Sequence, residues 1–240
     1  MLVIIAFYRW FSYLCCMQRG IFFECCCQSV HDALEAQAGG AQRIELCSRL
    51  EVGGVSPSAQ LISEVLGAVS IPVNVLVRPR EGNFCWTLGE AEEILETISI
   101  CKDLKVNGVV IGALTPDGQI DLPLMSRFIA AARPLDVTFH RAFDECAEPF
   151  SALEDIISLG CNTLLTSGQA PTALEGSSLI ASLVGQAAGR ITVMPGAGIN
   201  PSNIRQIVLS TGAREYHGSA RGPAGTTSRV VVSQIVNVFI

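Results

Sequence analysis

Two short apolar runs each carry a carboxylate and a thiol two residues apart: Glu24-Cys25-Cys26 and Glu45-Leu46-Cys47. Residues two apart on a β-strand share a face. If the runs are neighbouring parallel strands, Cys26 and Cys47 stand side by side, about 5 Å apart in the backbone, with Glu24 and Glu45 behind them. Two facing thiols in a reducing compartment suit a soft monovalent metal, above all Cu(I). The plain alternative is two buried cysteines acting as small hydrophobes, the commonest fate of a free thiol.

The elements that would position these residues recur along the chain. Strand candidates begin near residues 22, 43, 73, 108, 136, 163, 191 and 215. Their mean spacing of about 28 residues leaves room for one strand and one helix per unit. Glycines precede several of them, at Gly39-Gly40, Gly108, Gly160 and Gly212, as left-handed helix stops would. Helices are expected over 30–38 with Ser29 as N-cap, 58–69, 87–104, 121–132 with Pro123 in the first turn, 173–188 and 203–210. Eight such units predict a (β/α)8 barrel of the TIM type. The alternative, a doubly wound open sheet, usually has fewer units and a Gly-rich turn after its first strand. No such turn follows Cys27.

The single barrel domain is expected over residues 21–240. Residues 1–20 form an apolar extension outside its core: Arg9 interrupts the apolar stretch, and neither a basic start nor a small-residue cleavage site is evident. The eighth unit is short and atypical, because Val230 to Ile240 is rich in β-branched residues that form helices poorly.

Alternation says what points into the barrel. Val73, Val75 and Val77 share one face, as do Val137 and Phe139, and these should meet the helices. Glu24, Cys26, Glu45, Cys47, Arg78, His140 and His217 then face the axis, the later members at the C-terminal mouth where barrel enzymes keep their sites. Charge inside a barrel is expensive unless paired. Either these groups line a functional cavity, or Glu24 and Glu45 only neutralise Arg78 and the histidines in a buried network. In the enzyme reading His140, Glu24 or Glu45 is the acid/base, Arg78 or Arg141 clamps a small anionic or phosphorylated metabolite, and Asp144 orients His140 or Arg141. The loops after the last strands, with Gly196, Gly198 and Ser219, and Ser167 after the sixth, could hold a phosphate or another anion.

Composition narrows the partners. A net charge of −6 and a pI near 5.1 argue against nucleic acid or an anionic membrane surface. Ten cysteines in a 240-residue chain, several of them adjacent, suit free thiols rather than a disulfide framework. No Cys-x-x-Cys is present, against a zinc ribbon.

Several motifs together resemble a known family. Phe23-Glu24-Cys25-Cys26, Arg43-Ile44-Glu45-Leu46-Cys47, Val77-Arg78-Pro79-Arg80, Gly112-Ala113-Leu114-Thr115, Thr138-Phe139-His140-Arg141-Ala142-Phe143-Asp144, Leu165-Thr166-Ser167-Gly168 and Val193-Met194-Pro195-Gly196 resemble the CutC copper homeostasis proteins. The likeness runs from about Ile21 to Arg221. It implies a TIM-type barrel, cytosolic and in eukaryotes also nuclear, that assembles as a homo-oligomer and binds Cu(I). Cys26 and Cys47 match the cysteine positions put forward as copper ligands in eukaryotic members. The chain departs from the family pattern in residues 1–20, in Cys25 and Cys27 beside Cys26, and in a shorter segment after Arg221.

Overall fold

The computed structural model describes residues 21–239, so the expected extension over 1–20 lies outside the described residues. Eight strands alternate with eight helices: β1 (Phe22–Cys27), α1 (Val30–Ala38), β2 (Arg43–Leu46), α2 (Ala59–Ala68), β3 (Val73–Leu76), α3 (Leu88–Asp103), β4 (Gly108–Ile111), α4 (Leu122–Ala132), β5 (Asp136–Phe139), α5 (Pro149–Ser158), β6 (Thr163–Thr166), α6 (Ser177–Ala187), β7 (Thr192–Pro195), α7 (Ile204–Thr211), β8 (Glu215–Gly218) and α8 (Arg229–Val236). Every strand pairing is parallel, in the order β7-β6-β5-β4-β3-β2-β1-β8. β7 and β8 adjoin without a hydrogen-bonded ladder, so the barrel is nearly closed. This is the (β/α)8 architecture that the strand spacing predicts.

The local chemistry accounts for the helix starts. Ser29 accepts from the Asp32 N–H, Ser58 from Leu61, and Asp121 from Leu124, with Pro123 just inside. Thr87 and Glu90 form a reciprocal capping box. Two readings need correction. The left-handed stop before β4 is Lys105 (φ 60°), not Gly108, which is already in the strand. A Cβ there would sit 2.6 Å from Asn74 Oδ1 and 2.9 Å from the Asp136 carbonyl, so Gly108 is needed for close strand packing. The helix expected from 173 begins at Ser177, because the chain first folds back on itself: a Cβ on Gly176 would lie 1.9 Å from the Ser167 carbonyl. Helix α5 was not expected; Pro149 opens it in its first turn.

α8 forms despite its valines because burial outweighs propensity. Val232 and Ile235 are fully buried, and Gly39 at the end of α1 lets α8 approach to a distance that any side chain would block. Asp32 accepts from the Thr227 N–H at 2.9 Å, and Glu35 pairs with Arg229, so α1 holds the eighth unit in place.

The core has two parts. The larger lies between strands and helices and holds Val73, Val75, Val77, Val137 and Phe139 as alternation predicts. A small one inside the barrel is made of Cys26, Cys47, Leu76 and Val110. Among the described residues no helix is long and apolar enough to cross a membrane.

Candidate metal and ligand site

Three adjacent strands build a polar cluster inside the barrel. The register sets Glu24 of β1 opposite Arg43 of β2 and His217 of β8, and Cys26 opposite Glu45. Glu24, fully buried, accepts from Arg43 Nε and, at 3.3 Å, from Asn74 Nδ2 through one oxygen. Its other oxygen lies 2.9 Å from His217 Nδ1. Arg43 also donates to Glu215 at 2.7 Å. His217 Nε2 stands 3.6 Å from a Glu45 oxygen.

The thiols sit directly above. Cys26 Sγ and Cys47 Sγ are 3.6 Å apart, both buried and free. The pairing differs from the expected one: Glu45, not Cys47, is the backbone neighbour of Cys26, and only Glu24 lies behind. Cys47 follows the last residue of β2 and reaches Cys26 diagonally. One ligand atom each from Cys26, Glu45 and His217 all lie within 4.8 Å of one another, close enough to share one ion.

Electrostatics hold this cluster in a definite state. Burial would push the Glu24 carboxyl up, but the His217 hydrogen bond and the Arg43 charge outweigh it and hold the group below its usual range. For His217 burial opposes charge, yet Glu45 and Glu24 on either side raise it above an ordinary imidazole. Burial dominates at Glu45 and raises its carboxyl, against the pull of His217. The Cys26 thiol is pushed well up by its hydrogen bond with Cys47, by burial and by the Glu45 charge. With Nδ1–H directed at Glu24, His217 offers Nε2 towards Glu45 and Cys26, an arrangement in which a carboxylate orients an imidazole for a metal.

Of this cluster Cys26, Glu45 and His217 line a cavity of about 730 Å³ at the C-terminal mouth, the size of a small-molecule site. Arg78, Phe84, His140 and Arg141 line the same cavity. Arg78 does not meet Glu24 or Glu45. Its Nη atoms donate to the carbonyls of Val52, Gly54 and Gly82, and its guanidinium lies 4.8 Å from the centre of the Phe84 ring. The buried-network reading therefore assigns the wrong cation: Arg43 neutralises Glu24.

His140 is buried and accepts from the Ala142 N–H through Nδ1 at 3.2 Å. Burial, and then the Arg78 charge, push its imidazole down to about 3. The unfolded chain takes up a proton at such a side chain near pH 6.5. Stability from the neutral His140 is therefore full above that pH and is lost as pH falls, by about 2 kcal/mol at pH 5. The His140→Asn variant cannot titrate, so its urea midpoint should fall less between about pH 7.5 and 5 than that of the wild type. Equal losses would show that His140 is not held neutral.

Asp144 does not orient His140. It pairs with Arg141 at 2.8 Å and accepts from Thr166 Oγ1 and the Ser167 N–H, tying the loop after β5 to the end of β6. Ser167 is no free anion ligand, for it is fully buried and its hydroxyl bonds the Ala170 carbonyl and Asp144. A Cβ on Gly196 would lie 2.6 Å from Leu165 Cδ1, so this glycine serves packing. Gly198 (φ 72°) and Ser219 do line the cavity. Sequence reasoning gave no role to Arg43, Asn74, Glu215 or Phe84. The first two lie on the inward faces that alternation defines, and Phe84 sits in a loop without periodicity.

Fold and cluster together define a parallel (β/α)8 barrel with thiol, carboxylate and imidazole groups converging on one side of its mouth. Residues 21–222 match the CutC family, and the chain belongs to it. A CutC protein of Parabacteroides distasonis is 52% identical over 199 residues, 82% of each chain. The crystal structure of a Streptococcus agalactiae protein designated a copper homeostasis protein, CutC, is 30% identical; it covers 83% of this chain and 98% of that one, with a TM-score of 0.79. Phosphoribosylanthranilate isomerase from Thermotoga maritima shares the fold alone, at 13% identity and a TM-score of 0.60 over 90% of this chain and 97% of that one.

Proposed function

We propose that this chain is a copper homeostasis protein that binds Cu(I) through Cys26 and Cys47. The observation that carries this reading is the 3.6 Å contact between two buried free thiols, with His217 and Glu45 facing Cys26. The designation of the S. agalactiae relative supports it. Soft thiolates select Cu(I), and binding through both sulfurs would displace a proton from each thiol. Cys26 and Cys47 would hold the ion, with His217 close to Cys26 and Glu24 fixing the imidazole behind it.

The same reading puts the protein in a reducing compartment, the cytoplasm and in a eukaryotic cell also the nucleus, where free thiols persist. It further takes the protein to be a homo-oligomer. The test is competition with a chromogenic Cu(I) chelator on fully reduced protein. One equivalent of Cu(I) per chain should bind in the wild type and none in the Cys26→Ser/Cys47→Ser double variant. Copper retained by the double variant, or Zn(II) held more tightly than Cu(I) in the wild type, would overturn the assignment.

A further inference from the structure

The cavity also carries a buried cation with no carboxylate in direct contact among the described residues. Arg78 is 7% exposed, and among the described residues no carboxylate lies within ion-pair distance of it. Its Nη atoms are engaged by backbone carbonyls, but the buried Nε–H meets no hydrogen-bond partner. His140, 4% exposed, is in the same position. Nδ1 accepts from Ala142, so the proton of the neutral ring is on Nε2, and that buried atom too has no partner. Buried donors are rarely left unmade, because an unsatisfied group costs about 1–3 kcal/mol. Here two occur at one cavity, both packed against Phe84, whose ring centre lies 4.8 Å from the Arg78 guanidinium and 4.9 Å from the His140 ring centre.

We propose that this Arg78–Phe84–His140 corner is a binding subsite for the carboxylate of a small organic acid, with Arg78 Nε–H and His140 Nε2–H as its two donors. One positive charge and two N–H groups match one carboxylate, with one donor for each oxygen. A phosphate, with more oxygens and more charge, would leave acceptors unmet beside Glu145 and Asp144 on the same cavity. His140 stays uncharged, which suits a donor that must not drive off its neighbour Arg78. Phe84 packs against both groups, so in this proposal the ring turns aside when the carboxylate enters. The remaining space accommodates the body of the acid and brings it towards Cys26, Glu45 and His217. This subsite uses none of the proposed copper ligands and stands independently of copper binding.

The experiment is a titration of ¹⁵N-labelled full-length protein with acetate and, separately, inorganic phosphate, at constant ionic strength, following the Arg78 Nε–H and His140 Nε2 resonances. Acetate should shift both and saturate. His140→Asn keeps an acceptor for the Ala142 N–H and should weaken acetate at least tenfold while leaving Cu(I) stoichiometry unchanged. Phe84→Ala, which removes the cover, should tighten it. If His140→Asn does not fold, Arg78→Lys provides the same comparison through the His140 signal. No saturable shift with acetate, saturation by phosphate in its place, or unchanged acetate affinity in the variant would overturn the proposal and leave the two N–H groups resting on the Phe84 ring.

Discussion

Glu24→Ala is expected to lower the unfolding free energy by about 3–5 kcal/mol, the usual loss when one partner of a buried ion pair is removed. The carboxylate is fully buried and holds three side chains at once: Arg43, Asn74 and His217. Without it Glu215 is the one carboxylate left to Arg43, and Glu45, more distant, the one left to His217. In a domain of this size each kcal/mol moves Tm by about 2–4 °C, so a fall of roughly 10 °C follows. Glu24→Gln preserves the volume and should lose less. Glu92→Ala is the control, since Glu92 pairs with Arg127 on the exposed surface, where such a contact contributes under about 1 kcal/mol. Thermal or urea unfolding of the three variants checks the ranking. A Glu24→Ala loss no larger than that of Glu92→Ala would mean the buried network is not a stabilising centre.

The two thiols should not be equivalent towards copper. Cys26 touches Cys47 and also converges with Glu45 and His217, whereas Cys47 meets the cluster only through Cys26. Cys26→Ser removes the atom common to both arrangements. It should weaken Cu(I) well over a hundredfold, beyond the roughly 10–100-fold that loss of an outer hydrogen-bond partner costs. Cys47→Ser leaves Cys26, Glu45 and His217, a harder donor set, and should weaken Cu(I) less while shifting preference towards Zn(II). Parallel Cu(I) and Zn(II) competition titrations distinguish the two. Equal losses in both variants, with no change in metal preference, would restore a symmetric thiolate pair.

Much of this was legible in the chain because parallel strands leave local marks. Alternation placed Val73, Val75 and Val77 outward, and Glu24, Cys26 and Glu45 inward, before any partner was known. What escaped depends on non-local geometry. Arg43 was on the correct face, but its partners Glu24 and Glu215 lie 19 and 172 positions away. The offset that puts Glu45 rather than Cys47 opposite Cys26 is a property of the closed sheet, not of either strand. Gly108 has the position of a helix stop but is required by Asn74 and Asp136 across its neighbours. Phe84 lies in a loop, where no periodicity shows what its ring will cover.

The missing ladder between β7 and β8 lies outside the run of strands that carries both polar groups of the mouth. Glu24, Cys26, Glu45, Cys47 and His217 come from β8, β1, β2 and the residue after it, which are stitched together on one side of the seam. Arg78 and His140 follow β3 and β5 of the same continuous ladder, Phe84 lies in the loop after β3, and Gly198 follows β7 on the far lip. The distance from the thiols to the Arg78 and His140 corner is therefore spanned by unbroken backbone pairing from β8 to β5, with the seam on the far side of the ring.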